Sequence, residues 1–478
     1  MSADEHAPDR SAAGGPVRRD RRIGGAALLG LLMACAAPAA AAETLTDALA
    51  YAYYNNPALL AQRALLRATD ELVPQALSNW RPTVTFSGQT GFSNNAALPT
   101  FPHTPNTYVN LRPSSLGLHV DQPIYRGGRT EAQTRQAINT VEAQRAQTLA
   151  TETTVFQAVV KAYLDVVRDQ TLVQVDRNNE AVLRQQLAAT EARFRVGEVT
   201  RTDVAQAEAS LAQATATRIA AEGTLETSRA EYVHAVGHPP GRLVFPRDVP
   251  ALPASRREAL ELAAHSNFSV IAANFTELAA RDNVDLVRGQ LLPQISVVGD
   301  LTRAKDVSTI LKGVWERTVS ITAQMTMPLY EGGAIYSQTR QAEQTVGQRL
   351  SQVDDARRAA VETATDNWET LRSDRASIAS FEAAVRAAQI ALAGVQQEAL
   401  VGTATTLDVL VQNQTLFTVE SQLVVAQHDA ALAAFNVAAA TGRLIAPELK
   451  LPVKLYDMDR HYREVKDKWI GFRGGLSE

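Results

Sequence analysis

The sequence predicts a mainly α protein with a smaller β component, in which one series of elements is written twice. Three observations predict it. "QPIYRGGRTEAQTRQA" at 122–137 returns as "MPLYEGGAIYSQTRQA" at 327–342. Residues 129–195 contain neither proline nor glycine, and 334–401 contain only Gly347 and Gly394. Short stretches such as "TVSITAQMTMPL" alternate apolar and polar residues with period two, the mark of a half-buried strand.

The repeat extends well beyond its most obvious stretch. At an offset of 205, Pro123, Tyr125, Gly127, Gly128, Thr134, Arg135, Gln136, Ala137 and Val141 meet Pro328, Tyr330, Gly332, Gly333, Thr339, Arg340, Gln341, Ala342 and Val346. The same offset carries "RVGEVTRTDV" onto "LVGTATTLDV" and Gly237 onto Gly442. Upstream the offset is 211, and Pro82 meets Pro293. The slip between the two offsets falls in the turn-rich stretch between Pro82 and Pro123. A register held over about a hundred residues is the sign of two halves of one architecture.

The first 42 residues read as an export signal: "RRDRR" at 18–22, an apolar run to Pro38, and "AAA" before a cleavage point between Ala42 and Glu43. Two other readings of this leader exist. One is an uncleaved anchor; the other is lipid attachment at Cys35, where Met33 fits the motif poorly. Arg18-Arg19 lacks the rest of a folded-export signal. Cys35 is the only cysteine, so no disulfide can form within the mature chain. No further segment is expected to span a membrane as a helix.

The first half, 43–242, opens with helix over 44–80, broken at Asn56-Pro57, where Pro57 suits a helix start. A β-hairpin at 83–125 follows, with Leu116, Leu118 and Val120 on one face. Gly127-Gly128 turns strand into helix, since glycine accepts positive φ and close backbone approach. A phosphate cradle there lacks the P-loop spacing and its lysine. A helix over 129–195 carries Leu149, Phe156 and Tyr163, and Val160 and Val167, at heptad spacing. At 1.5 Å per residue it spans roughly 100 Å, more than a compact domain needs. Val-Gly ends it, and a second helix runs over 203–236.

After a linker at 243–253, the second half, 254–445, repeats the series: helix, hairpin at 293–330 with Val319, Ile321, Ala323, Met325 and Met327 on one face, the Gly332-Gly333 hinge, a long helix at 334–401, and a helix at 406–441. The charged tail, 446–478, has no counterpart and is expected on a surface.

Four strands cannot close a transmembrane barrel, for which eight is the lower bound, and open edges are not allowed in lipid. Three chains would supply twelve strands, with the helices continuing as a tube.

The hairpins, paired long helices and twin Val-Gly-x-x-Thr-x-x-Asp-Val segments resemble the TolC family of outer-membrane channel proteins. The resemblance runs from about Glu43 to Gly442. The stretches "ALAYAYYNNPAL" and "YDMDRHYREVKDKW" are similar to members serving type I secretion. The resemblance implies a homotrimer: a long α-helical coiled-coil barrel joined to a 12-stranded transmembrane β-barrel, four strands per chain. It also implies a periplasmic adaptor and an inner-membrane ABC or proton-driven pump as partners. By the same resemblance Thr202, Asp203 and Asp408 fall at the periplasmic gate. Ala399 and Ala404 stand where latch residues are expected, and Val411 where a second ring acid is expected. Arg193, Arg195 and Arg201 lie near the same tip and offer other pairs. Capping is the plainer role for Asp203 and Asp408, and the two roles can coexist.

The net charge of −4 leaves no basic field for nucleic acid. No cofactor, metal site or enzymatic nucleophile is expected. His234 and His238 are four apart, but Gly237 and Pro239 break the helix there. Trp315 and Tyr108 suit either a membrane interface or a loop. A periplasmic coiled-coil adaptor is the alternative function, weakened by the duplicated hairpins. Nothing supports a secreted enzyme.

Overall fold

A computed structural model of the chain describes residues 43–97, 107–246, 250–306 and 313–472. The leader, with Cys35 and Ala42, lies outside the described residues, as do the middle of the long hairpin loop, part of the linker and the last six residues.

Three helices, α1 (Leu45–Asn55), α2 (Pro57–Asp70) and α3 (Leu72–Leu77), and a 3-10 turn at Ser78–Trp80 replace the single broken helix of the sequence expectation. Thr44 and Asp47 form a capping box at α1. Asn56 ends α1 and caps α2: its side chain accepts from the Ala58 N–H at 3.0 Å, and Pro57 sits in the first turn. Strands β1 (Thr83–Thr90), β2 (Ser93–Ala97), β3 (Thr107–Leu111) and β4 (Ser114–Arg126) follow, then α4 (Arg129–Arg195) and α5 (Arg201–Val236). The second series is α6 (Arg256–Ser266), α7 (Phe268–Arg288), a 3-10 turn at Gly289–Leu291, β5 (Gln294–Lys305), β6 (Trp315–Thr326), α8 (Ala334–Leu400) and α9 (Thr406–Ala440). A short helix, α10 (Met458–Val465), lies in the tail.

Matching elements share their local chemistry. Gly128 and Gly333 precede α4 and α8 with φ of 73° and 81°, the left-handed region that glycine tolerates. Asn267 caps α7 as Asn56 caps α2. Both asparagines also reach the end of a partner helix: Asn56 Nδ2 donates to the Ala235 carbonyl (3.0 Å) and Asn267 Nδ2 to that of Ala440 (3.1 Å).

The strands differ from expectation in two ways. β4 pairs antiparallel with β5 as well as with β1, so the two hairpins form one four-stranded sheet in the order β1-β4-β5-β6. β2 and β3 form a separate two-stranded sheet in the first hairpin's long loop. Asparagine-rich sequence there hid the strands, because backbone pairing needs no apolar face. Met327, expected in the second strand, lies beyond the end of β6.

The main core surrounds the middle of α4. Phe156, Val159, Val160, Tyr163 and Leu164 are buried against Leu49 and Tyr53 of α1, Tyr232 of α5, Phe435 of α9 and Leu451 of the tail. The tail is therefore not a surface appendage. The Ala446 N–H donates to buried Glu152 at 2.7 Å, and the N–H groups of Lys454 and Tyr456 donate to the hydroxyls of Tyr54 and Tyr53. Farther along, Arg145 bridges to Asp459, and Arg81 lies over the Trp469 ring. Charge and proline hid this docking, which runs through backbone N–H groups and a few leucines.

Two helices, α8 and α9, are long and apolar enough to cross a membrane by length and composition, which corrects the expectation that no segment after the leader is. Their runs of alanine and valine score as apolar. The apolar window of α9 is 61% buried inside the chain, that of α8 only 11%.

Candidate functional site

Two regions stand out: the sheet, and the tip where α4 turns into α5 and α8 into α9. Side chains alternate across the sheet. Val84, Phe86, Leu116, Leu118, Val297, Leu301, Val319, Ile321 and Met325 share one face by their register. That face is uncovered: Phe86 is 73% exposed and Ile321 81%. An apolar surface of this extent marks a face that meets a membrane or another protein surface. The other face carries Thr85, Ser87, Gln89, Asp121, Ser320, Thr322 and Gln324, and a hydrogen bond between His119 and Asp300 at 2.7 Å. At the loop end of the sheet, Trp315 stacks under Arg303, with 4.8 Å from the guanidinium to the ring centroid. Tyr108 lies exposed on β3.

Both outer edges of the sheet, β1 and β6, have no strand beside them among the described residues. Each edge presents unpaired N–H and carbonyl groups.

Where the sheet meets the helices, Gly127 and Gly289 cross closely. A Cβ on Gly127 (φ 66°) would stand 2.3 Å from the Gly289 carbonyl oxygen. Gly332 and Gly333 have the same left-handed backbone with open space around them. Beside Gly127 a groove of about 740 Å³ opens between the start of α4 and the end of α7. Arg135 crosses it to Asp282 and Asp285, each at 2.9 Å.

At the tip, Thr200 and Asp203 make a reciprocal capping box for α5, and Thr405 and Asp408 make one for α9. Each carboxylate accepts from its threonine hydroxyl at 2.7 Å and from that threonine's N–H at 2.8 Å. Those bonds hold both carboxyls below their ordinary pKa. Asp203 and Asp408 thus stay charged at any physiological pH while capping the start of a helix. Thr202 is exposed in the first turn of α5, and Val411 is exposed on α9. The two hairpins touch through an arginine: Arg193 Nη2 donates to the Ala399 carbonyl at 3.3 Å and Arg193 Nε lies 3.9 Å from Glu198. A backbone carbonyl accepts there, so the alanine side chain is no obstacle. Above the tip, Asn413 of α9 donates to Asn179 of α4 at 2.8 Å. Sequence reasoning missed this Asn pair, which no periodicity reveals.

A third cluster joins the helices at mid-length. Asp165 of α4 lies 2.6 Å from Lys161 Nζ, 2.8 Å from Arg168 and 3.0 Å from His428 Nε2 of α9. Burial opposes its charge, but the hydrogen bonds from His428 and Lys161 and the Arg168 charge hold its pKa down at about 2. His428 also meets Asp429 at 2.8 Å, and Ser228 of α5 donates to Asp169.

Glu43, the first described residue, is tied down firmly. It accepts from the Tyr232 hydroxyl and, at 3.1 Å, from the Gly241 N–H; its own N–H donates to Arg242. His238 lies 3.4 Å from its carboxylate and edge-on to Tyr51. His234 lies in the last turn of α5.

The family model described as "Outer membrane efflux protein" matches residues 49–238 and again 259–443. The chain belongs to the outer membrane efflux protein family. It is 35% identical over 435 residues to outer membrane efflux protein BepC of Brucella suis, covering 91% of this chain and 93% of that one. Outer membrane protein TolC of Vibrio cholerae is 28% identical, over 84% and 91%. Alkaline protease secretion protein AprF of Pseudomonas aeruginosa is 24% identical, over 57% and 58%. Among solved structures, the Campylobacter jejuni CmeC outer membrane channel has the same fold, with a TM-score of 0.75 at 16% identity over 88% and 89% of the two chains. These relatives are named for efflux, secretion and the outer membrane rather than for catalysis. The efflux protein described here is likewise an outer-membrane protein, an exit duct for exported material.

Proposed function

We propose that three copies of this efflux protein close a 12-stranded barrel in the outer membrane and continue inward as a helical tunnel. The observation that carries this is the four-stranded sheet with an uncovered apolar face and two open edges. In lipid such edges must be paired, and one chain has too few strands to pair its own. The chain is then two structural repeats, 43–242 and 254–445, joined by 243–253 and closed by the tail 446–478, exported by cleavage between Ala42 and Glu43. Gly127, Gly128, Gly332 and Gly333 turn each second strand into its long helix.

The duct is passive. It works with a periplasmic adaptor and an inner-membrane ABC or proton-driven pump, and serves small-molecule efflux, type I protein secretion, or both; its relatives carry both kinds of name. Thr202, Asp203 and Asp408 lie at its periplasmic mouth, where the Arg193–Ala399 contact replaces a side-chain latch. Purified protein should run as a heat-modifiable trimer from outer-membrane fractions and conduct ions in planar bilayers. A stable, conducting monomer would overturn the proposal. A deletion strain tested for drug sensitivity and for lost protein export distinguishes the cargoes.

A further inference from the structure

The uncovered face of the sheet changes character at its loop end. By register, Phe86, Leu118, Leu301 and Val319 form one row across the four strands of this face. The next row reads Gly88, Leu116, Arg303 and Arg317, and the one beyond it Thr90, Ser114, Lys305 and Trp315. From Ile295 to Leu301, and from Met325 back to Val319, the same face carries no charge. The cations Arg303, Arg317 and Lys305 then arrive together, all on the second hairpin.

Arg303 and Arg317 stand directly opposite each other, and like charges so placed repel. Both are exposed, and neither they nor Lys305 meet a carboxylate among the described residues. The nearest acids are turned elsewhere. Glu316 lies opposite Ala304 on the polar face, and the Asp306 carboxylate accepts from the Gly313 N–H. Residues 307–312 contain no acid. Trp315 lies against Arg303, with 4.8 Å from guanidinium to ring centroid. Stacking of this kind fixes the plane of the guanidinium and leaves its edge N–H groups for an acceptor.

An anion between the two arginines would turn their repulsion into attraction. The guanidinium fork suits phosphate, whose oxygens accept two parallel N–H bonds. The adjoining row of Leu118, Leu301 and Val319 gives apolar surface that a small soluble anion would not use but acyl chains would. The helices leave the sheet at its opposite end, so in the barrel reading the loop end faces outward. Resting on that reading, we infer that Arg303 and Arg317 of each copy grip a phosphate group of lipopolysaccharide, the phosphorylated lipid of the outer leaflet. Lys305 adds charge and Trp315 holds Arg303 in place, at the level where aromatic side chains mark the edge of the hydrocarbon. The first hairpin has Leu116 and Ser114 at the same height and takes no part.

Binding of purified lipopolysaccharide to full-length trimers in mild detergent tests the site. The same lipid stripped of its phosphates, and phosphatidylglycerol, serve as further probes. Unaltered protein should bind the phosphorylated lipid at least about tenfold more tightly than the stripped one, the worth of a charge-assisted hydrogen bond. Arg303→Gln with Arg317→Gln should abolish that preference. These trimers should still conduct ions as before, because both positions lie on the face away from the polar side. Arg317→Lys keeps the charge without the fork and should fall between, and it decides the matter if the double variant assembles poorly. Arg257→Gln with Arg460→Gln removes as many exposed charges from α6 and α10 and should bind like the unaltered protein. Equal binding of phosphorylated and stripped lipid, or a double variant that still discriminates, overturns the site and leaves the trimer standing. A preference for phosphatidylglycerol over lipopolysaccharide overturns the choice of lipid. Native mass that excludes three copies removes the barrel reading, and the leaflet assignment with it.

Discussion

The long helices α4 and α8 have the same length, 67 residues, and both start after a left-handed glycine, yet they live in different surroundings. α4 is buried through its middle by α1, α5, α9 and the tail. α8 buries few residues, and Ile390 and Tyr336 stand in the open. The 205 offset explains why. Phe156, Val160 and Leu164 of α4 correspond to Val361, Thr365 and Glu369 of α8. The tail's hydrogen bonds to Glu152, Tyr54 and Tyr53 all fall on the first series of elements. Equal helices thus acquire unequal cores, and the flank of α8 stays bare.

The sharpest way to break this comparison is to remove equivalent aromatics. Tyr163→Ala empties a fully buried site and strands the Val244 carbonyl and N–H that its hydroxyl holds, at 2.7 and 3.2 Å. A loss of about 3–5 kcal/mol is expected, read from the guanidinium midpoint of detergent-solubilised protein. The half-buried equivalent, Trp368→Ala, should cost clearly less. Equal losses would mean that α8 is as well packed as α4.

Glycine substitutions come next. Gly127→Ala meets both an unfavourable φ and the Gly289 carbonyl, and should sharply reduce folded protein in the outer membrane. Gly332→Ala meets only the φ cost, about 1 kcal/mol, and should assemble nearly normally. Similar yields for the two would contradict the asymmetry of the crossings.

Acid should act on α4 more than on α8. The folded pKa of Asp165, about 2, lies below the unfolded value near 4. Its stabilisation is fully present above about pH 4 and is lost as pH falls through 2. Asp165→Asn should remove that part of the acid dependence, seen as a flatter midpoint between pH 4 and 2. Thr370, at the equivalent place on α8, does not titrate, so Thr370→Ala should leave the pH profile unchanged.

The smallest effects belong to the tip. Thr200→Ala and Thr405→Ala each remove one capping box, at about 1 kcal/mol. Asp408→Lys should shift the cation-to-anion permeability ratio in planar bilayers toward anions. An unchanged ratio would take Asp408 out of the pore.

Helix ends and strand positions were legible because they rest on local chemistry: glycine at positive φ, threonine and aspartate three apart, proline at a first turn, period-two alternation. The capping role of Asp203 and Asp408 was readable for the same reason. The Arg193–Ala399 contact was not, because the acceptor is a backbone carbonyl two hundred residues away. Nor was the His428–Asp165 pair, which joins helices from different halves. The strands in the long loop escaped because asparagine and threonine can pair without any apolar signal.

By itself, then, the sequence determined the lengths of the helices, their caps and the two faces of the strands, all set by neighbours within a few residues. Only the tertiary structure decided that the hairpins share one sheet, that the tail buries α4 and leaves α8 bare, and which charges meet at mid-length. Those outcomes depend on contacts between residues far apart in sequence, whose energy is the same whichever segments supply the matching surfaces, so no local pattern can announce them.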